Sequence, residues 1–366
     1  MAEKNKFKQL EFDVEIEDES QDENIPYKYS ITAYGADYPV DSLVTRMQSK
    51  DIFIPPFQRN FVWSFKQASR FVESLLLGLP VPGIFFAKED KTNKLLVIDG
   101  QQRLRTLEYF FSGIFRPEDP EERNFILEGV QKDFEGKTYA TLSDDDRRKI
   151  NDSLIHAIIV RQDEPSDDDN SSIYHIFERL NTGGRILTPQ EIRSSIFHGG
   201  FSKLLRELNA DSDWRSIFGP VNKYMRDQEL ILRFFALYYN LDKYEKPMKD
   251  FLNKYMSANK NLSKRQSEDE LTKLFTTTIK SIHHTLGSKV FRRSKVFNAA
   301  YFDATMVGYA CRLQQGPIVD KAGVQEAYEL LIKKSNFRNA SENATTDENN
   351  VKKRIELATK AFSHVK

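Results

Sequence analysis

The chain has 366 residues, 39% of them hydrophobic and 30% charged, a composition typical of a globular protein of about two domains. Its 54 basic and 54 acidic residues cancel, which excludes an overall charge attraction to nucleic acid, and no window is apolar enough to span a membrane. The single cysteine, Cys311, excludes an intrachain disulfide framework and a multi-thiolate metal site. The polar first residues lack the apolar region of a secretory signal, so we expect a cytoplasmic protein.

The charge is unevenly distributed along the sequence. Residues 221–366 contain 26 basic and 16 acidic residues, an excess of ten positive charges. Between Glu11 and Glu23, eight of thirteen residues are acidic, a density that predicts a mobile segment. Since the patterning also changes from mixed to helical near residue 200, the sequence predicts three parts: an acidic mobile leader at 1–25, a mixed α/β domain at 26–200 and a helical domain at 201–366.

The first half of the chain alternates strand and helix patterns. The apolar run Ile52–Ile54 predicts a short strand that a proline pair ends. Ser64 predicts a helix start, because Gln67 follows three residues later as its capping-box partner. Two apolar runs, Ile84–Phe86 and Leu95–Ile98, are separated by a polar turn and predict an antiparallel hairpin. A helix is expected directly after the second run.

Further along the chain, the patterns become mainly helical. A strand is predicted at Leu154–Arg161 and a helix at Ser171–Leu180. Thr188 opens the next helix, with proline at the first helical position and Glu191 as the capping-box partner. From Arg226 onward only helical periodicity is apparent. We therefore expect an α+β protein, in which a mixed α/β core is followed by an all-helical domain.

The segment with the most chemical information is Asp-Gly-Gln-Gln-Arg at residues 99–103, where an apolar strand turns directly into a helix. Gly100 lets the backbone approach a ligand closely, and the first amides of a helix attract anions. Gln101 and Gln102 add neutral donors, and Arg103 adds a guanidinium suited to phosphate. Asp99 has the chemistry to hold Mg²⁺, to accept a hydrogen bond from a ribose hydroxyl or to orient a water.

The simpler alternative is that Asp99 only caps the helix, worth about 1 kcal/mol, while the glutamines lie on a wet surface. Two amides and an arginine at one helix start favour a polyanion site over this alternative. The polyanion interpretation fails if a carboxylate holds Arg103 and the neighbouring amides are closed off.

A second group of residues precedes the first predicted helix. Gln58 and Arg59 follow two prolines in a loop, where a rigid scaffold often presents functional side chains. The flanking Phe57, Phe61 and Trp63 are equally consistent with a base-stacking face and with core packing. Arg59 is the more informative residue, because an arginine between large aromatic side chains needs an anionic partner or water.

A third group consists of Asn181, Gly183, Gly184 and Arg185, at the end of the helix predicted to finish at residue 180. The favoured interpretation is a helix C-cap and a turn. The alternative is that the glycine amides and Arg185 approach the same ligand as residues 99–103.

Other common site patterns are absent from the sequence. It contains no P-loop and no Gly-x-Ser-x-Gly nucleophile motif. The adjacent His283 and His284 lack metal-ligand spacing and are expected to diverge on a helix as surface residues. The basic cluster at 291–295 is interpreted as a solvated helix end rather than as a contact to a phosphate backbone.

Four segments occur in an order that resembles the GmrSD-type restriction-enzyme N-terminal domain, a ParB/sulfiredoxin-like family of bacterial phage-defence systems. They are Phe57–Trp63, Gly78–Pro82, Ile98–Arg103 and Leu180–Gly184. The resemblance implies a ParB/sulfiredoxin-like mixed α/β core that binds and hydrolyses a nucleoside triphosphate, GTP or another, with Mg²⁺. It also implies that hydrolysis is linked to restriction of modified foreign DNA.

The resemblance assigns roles residue by residue. The catalytic positions, the first of which is also the metal position, are Asp99, Gln101, Gln102 and Arg103. The positions expected to contact the nucleotide are Gln58, Arg59, Gly100, Thr106, Asn181, Gly183 and Gly184.

Two-part members of this family carry a nuclease domain of the His-Asn-His type, and none of the six histidines here lies in such a motif. We therefore expect DNA, including modified phage DNA, and a separate nuclease or defence chain as partners, without membrane association, while a homo-oligomer stays open. The alternative function, based on the basic excess after Val221, is a DNA-binding adaptor or sensor without turnover. Nuclease activity of the ParB-like core ranks last, because the sequence shows no convincing metal-ligand cluster.

Overall fold

The computed structural model describes residues 14–15, 31–54, 61–89, 92–118, 123–162, 174, 176, 178, 187–262, 266–293 and 296–365. These residues form two compact units. One unit contains residues 31–162 with 174, 176, 178 and 187, and the other contains residues 188–365 with the strand at 14–15. Apart from this strand, the predicted leader lies outside the described residues, so its mobility stays a prediction.

The described elements mix strands and helices. The strands are β1 (Val14–Glu15), β2 (Ile31–Pro39), β3 (Ile52–Phe53), β4 (Ile84–Lys88), β5 (Leu95–Asp99), β6 (Ile114–Phe115), β7 (Arg123–Asn124), β8 (Leu154–Gln162), β9 (Arg292–Arg293) and β10 (Val296–Asn298). The helices are α1 (Val40–Gln48), α2 (Phe65–Leu76), α3 (Gln101–Ser112), α4 (Asp144–Asp152), α5 (Pro189–Ile196), α6 (Gly200–Leu208), α7 (Ser212–Phe218), α8 (Arg226–Asn240), α9 (Met248–Ala258), α10 (Glu268–Leu286), α11 (Ala299–Leu313), α12 (Lys321–Lys333), α13 (Ser335–Glu342) and α14 (Glu348–Phe362). This content confirms the predicted α+β class.

A five-stranded mixed sheet organises the first unit, with strand order β2-β8-β4-β5-β3. Strands β2 and β8 pair antiparallel along their whole length, and β8 pairs with β4 in parallel. Strands β4 and β5 form the predicted antiparallel hairpin, and β3 lies parallel to β5 at the edge. The hairpin prediction is therefore confirmed, and β5 delivers the chain to Asp99 at its end.

The core of this unit lies between the sheet and helices α1–α4, which also pack on one another. The predicted capping box of α2 is confirmed, since Ser64 Oγ accepts from the amide of Gln67 and Gln67 Oε1 accepts from the amide of Ser64. On α3, Leu104, Leu107 and Phe110 are completely buried, at three-residue spacings that place them on one face of the helix. Packing of this face therefore fixes the position of α3, whose first turn follows directly after the end of β5.

The second unit is helical, with a small sheet of order β1-β10-β9. The predicted capping box of α5 is confirmed by the bonds between Thr188 and Glu191. The expectation of purely helical structure from Arg226 onward missed the hairpin of β9 and β10. Strands of two and three residues are too short for apolar alternation to be detected.

Buried charges join the helices of this second unit. Arg233 of α8 donates to both carboxylate oxygens of Asp303 on α11, at 3.0 and 2.5 Å. Arg354 of α14 donates to the same carboxylate at 3.0 Å and also to the backbone carbonyls of Ala340 and Thr345. These bonds hold α8, α11 and α14 in register, because an unpaired buried charge is strongly destabilising.

Candidate functional site

The turn from β5 into α3 depends on glycine. Gly100 adopts φ +100° and forms the N-cap of α3 without any side-chain hydrogen bond to the helix. A Cβ at this position would lie 2.9 Å from Cγ1 of Ile84, a contact too close for a real side chain. The absence of a side chain thus lets the chain reverse tightly and leaves the start of α3 without a capping side chain.

Arg103 is held by a carboxylate in this structure. Its Nη2 donates to Oδ2 of Asp99 at 2.7 Å, because helical side chains point toward the helix N-terminus and so reach the preceding turn. Its Nε is buried and has no hydrogen-bond partner within the described part of the chain. The guanidinium is therefore not the open fork that the polyanion interpretation requires.

The ion pair does not enclose the helix start. The side chain of Asp99 is 47% exposed, whereas that of Arg103 is 13% exposed. Gln101 and Gln102, which supply the neighbouring first-turn amides, are half-buried residues. Because one partner is half-exposed and screened by water, the pair contributes on the order of 1 kcal/mol, so separating its partners costs little.

Gln102 links the helix start to the segment before α2. Its Oε1 accepts from the backbone amides of Val62 at 2.9 Å and Trp63 at 3.2 Å. This contact spans about forty residues of sequence and holds the chain that follows the Gln58–Arg59 motif against α3. The side-chain oxygen of Gln102 thus has a structural partner.

Thr106 and Phe61 belong to the interior. Thr106 is completely buried, and its hydroxyl donates to the carbonyl of Gln102 at 2.7 Å, so it supports the helix in this conformation. Phe61 is 4% exposed and packs edge-on against Tyr109 and Phe115, with ring centroids 5.1 and 5.5 Å away. Of the two interpretations left open for the aromatic residues, core packing is correct for Phe61.

The remaining predicted site residues lie outside the described residues. They are Gln58, Arg59, Asn181, Gly183 and Gly184, together with Phe57 and Arg185. Their convergence on Asp99 stays a prediction.

A polar cluster on the second and third turns of α3 was not predicted. Tyr109 Oη donates to Glu118 at 2.9 Å, and Arg105 Nη1 donates to Tyr109 Oη at 3.3 Å. Burial raises the pKa of Tyr109 to about 12 and also raises the pKa of Glu108. The four-residue spacing of Arg105 and Tyr109 is the sequence signal that could have shown this contact.

The two adjacent histidines do not diverge as expected. His283 Nδ1 lies 2.6 Å from Oδ1 of Asp213, and His284 Nε2 lies 3.7 Å from the same oxygen. Their rings are perpendicular, which lets both reach one carboxylate from the last turn of α10. The carboxylate comes from α7, so no local spacing could reveal the cluster.

A cavity of about 580 Å³ lies at the end of α10 in the helical unit and shares no residue with the 99–103 segment. Its lining includes Lys289, Arg292 and Arg293 from the predicted basic cluster. Arg292 donates to the carbonyl of Phe218 at 2.6 Å, and Arg293 pairs with Glu342. The expectation of a helix end is therefore wrong for these two arginines, which form β9 and bond to neighbouring elements, while Arg293 is exposed as expected.

Part of the chain is similar to a known protein family. Residues 40–198 match the family described as GmrSD restriction endonuclease, N-terminal domain. The matched range runs from the first residue of α1 to just beyond α5 and includes the hairpin, the Gly100 turn and α3. No curated protein matches the chain. In the part of the chain that the structure describes, every helix is too short or too polar to cross a lipid bilayer.

Proposed function

Because residues 40–198 of this chain match the GmrSD restriction endonuclease N-terminal domain family, we propose that the protein is the nucleotide-dependent component of a restriction system. In this proposal the chain binds a nucleoside triphosphate, GTP or another, at residues 99–103 and hydrolyses it. Hydrolysis gates the action of a separate nuclease or defence chain on foreign DNA, including modified phage DNA. The observation that carries the proposal is the side-chain-free turn at Gly100, which leads into a helix start beside Arg103.

The Asp99–Arg103 pair fits this function as a resting state. A bound triphosphate would take the guanidinium of Arg103, and the freed carboxylate of Asp99 would be available to Mg²⁺. The Asp99–Arg103 contact is a single charge-assisted hydrogen bond to a half-exposed carboxylate, whereas a triphosphate offers several anionic oxygens to the same guanidinium. The exchange of partners is therefore favourable whenever the nucleotide reaches the site.

The residues present suit Mg²⁺, which binds proteins through one or two carboxylates and completes its shell with phosphates and water. Asp99 supplies one half-exposed carboxylate at the end of β5. Mg²⁺ would supply charge neutralisation on the phosphate oxygens. In the proposal, Gln101 orients the attacking water and Gln102 keeps the preceding segment in place.

The segment before α2 and the third group complete the proposed site. Gln102 holds Val62, which lies three residues after Arg59 in the sequence. We assign phosphate and base contacts to Gln58, Arg59, Asn181, Gly183 and Gly184 on the strength of the family motifs alone. Thr106 has a supporting role within α3.

Nucleotide binding to wild type, Arg103→Ala and Asp99→Asn tests the proposal. We expect Arg103→Ala to bind roughly 10–100-fold more weakly, as the loss of one or two charge-assisted bonds implies. Asp99→Asn should lose the Mg²⁺-dependent part of binding and keep the part measured in EDTA.

The matched control is Arg148→Ala, which removes an exposed Arg–Asp pair of 2.6 Å on α4. The control should bind like wild type, and the melting temperature of ligand-free Arg103→Ala should stay close to that of wild type. Wild-type affinity in Arg103→Ala, or no saturable nucleotide binding to the wild type, would contradict the proposal.

The second candidate function is a DNA-binding adaptor or sensor without turnover. It is favoured by the excess of ten positive charges after residue 220 and by the basic lining of the cavity near α10. It predicts salt-dependent DNA binding with a log–log slope of several units. Phosphate release from each of the common nucleotides, with and without DNA, separates the two functions, because the adaptor releases none.

A further inference from the structure

We propose that Asp213, His283 and His284 bind one divalent transition-metal ion of the zinc class between α7 and the end of α10. The three ligand atoms lie within 4.8 Å of one another and comprise two imidazole nitrogens and one carboxylate oxygen. Imidazole nitrogen selects Zn²⁺ and its neighbours in the transition series over Mg²⁺ and Ca²⁺, which prefer oxygen. The proposal concerns the helical unit and is independent of the nucleotide site.

The distances suit a metal that enters between these groups. Zn–ligand bonds of about 2.0–2.1 Å in a tetrahedral site place neighbouring ligand atoms roughly 3.3 Å apart. The observed separations from Asp213 Oδ1 are 2.6 Å to His283 Nδ1 and 3.7 Å to His284 Nε2. The gap to His283 must open and the gap to His284 must close, each by less than about 1 Å. The two imidazole nitrogens, at most 4.8 Å apart, must also approach one another, and side-chain rotation can provide these movements.

The helices that carry the three ligands are anchored by buried residues next to them. Trp214, next to Asp213, is completely buried, and its indole Nε1 donates to Asn209 at 3.0 Å. On α10, the neighbouring Ile282 and Thr285 are buried. The backbone at both ends of the cluster is therefore fixed before any ion arrives.

The cluster is also open to solvent, and among the described residues no lysine or arginine pairs with Asp213. The side chains of Asp213, His283 and His284 are 18%, 27% and 56% exposed, so an ion can enter and keep a water as its fourth ligand. The nearest arginine in sequence, Arg215, pairs with the buried Asp227 at 2.9 Å. The carboxylate of Asp213 is thus left to the histidines.

A histidine–aspartate pair alone does not make such a site, and the chain contains a comparison case. His156 Nδ1 lies 2.8 Å from Oδ1 of Asp37 on the sheet of the other unit, with both side chains more than half exposed. The structure brings no third ligand to this pair within the described residues. The third ligand, His284, is what distinguishes the proposed site.

Titration of the tag-free full chain with Co²⁺, followed by visible absorption, tests the proposal, and Zn²⁺ then competes for the same ion site. Wild type should bind about one ion per chain. His284→Gln and Asp213→Asn should each weaken Co²⁺ binding at least tenfold, since each removes a ligand. His156→Gln, the matched control, should bind like wild type.

Two further measurements test whether Co²⁺ binds at the proposed site and whether the site is selective for transition metals. Co²⁺ should quench part of the fluorescence of the two tryptophans in wild type, since Trp214 is next to a ligand, and not in His284→Gln, whose fold is checked by circular dichroism. Mg²⁺ at about a hundredfold excess should not displace Co²⁺. A wild type without saturable Co²⁺ absorption, equal binding by wild type and His284→Gln, or displacement by Mg²⁺ would each overturn the proposal.

Discussion

Replacing Gly100 by alanine tests the backbone turn on which the proposed phosphate site depends. The residue has φ +100°, and an added Cβ would lie 2.9 Å from Cγ1 of Ile84 and 3.3 Å from Nη2 of Arg103. Left-handed strain costs about 1–2 kcal/mol and overpacking against the buried Ile84 about 1–3 kcal/mol. We therefore expect the free energy of unfolding to fall by about 2–5 kcal/mol.

The other end of the same helix supplies a matched control. Gly113, the C-cap of α3, has φ +81°, and a Cβ there would meet no atom within 4 Å. Gly113→Ala should therefore lose only the strain, about 1–2 kcal/mol. The difference between the two variants, about 1–3 kcal/mol, isolates the close contact between residue 100 and Ile84.

Urea unfolding followed by circular dichroism measures both free energies, and nucleotide affinity is measured on the same samples. Gly100→Ala should bind nucleotide more weakly than Gly113→Ala, because the added methyl group displaces the guanidinium of Arg103. Equal destabilisation of the two variants would refute the steric argument. Wild-type nucleotide affinity in Gly100→Ala would refute the need for close backbone approach.

Three further substitutions have distinct expected outcomes. Gln102→Ala should lower the free energy of unfolding by about 1–2 kcal/mol, because the amides of Val62 and Trp63 lose their acceptor. Hydrogen exchange at these two amides should become faster, which mass spectrometry would show. Glu108→Gln should be more stable than wild type at neutral pH, because burial raises the pKa of Glu108 and its charged form destabilises the fold. This advantage should vanish as the pH falls below the ordinary glutamate pKa, which melting curves at several pH values would test. Asp303→Asn should lower the free energy of unfolding, measured in urea, by about 3–5 kcal/mol, since two buried arginines lose their carboxylate partner.

Local signals in the sequence predicted local structure well. The capping boxes at Ser64 and Thr188 and the hairpin before Asp99 are confirmed, because each depends on residues within one short segment. The apolar face of α3 follows from the same logic, since burial repeats with the helical period. The strands β9 and β10 escaped prediction because they are too short to show a period.

The side-chain contacts of the site were harder to predict. The four-residue spacing of Asp99 and Arg103 is compatible with their ion pair. The pair also depends on where α3 begins, because only a helical Arg103 points toward the N-terminus and reaches Asp99. The bond from Gln102 to Val62 crosses forty residues, and the approach of His283 to Asp213 crosses seventy. Such contacts depend on how elements pack, which composition and periodicity do not encode.

The buried carboxylate of Asp303 has a consequence for how this chain can vary over evolution. It neutralises Arg233 and shares Arg354 with two backbone carbonyls, so three positions on three helices form one electrostatic unit. Loss of Asp303 alone leaves two buried guanidinium groups without their carboxylate, whereas a joint exchange of all three residues to apolar ones of similar volume does not. Asp303 should therefore change in evolution only together with both arginines, whereas either arginine can change while the other still pairs with Asp303.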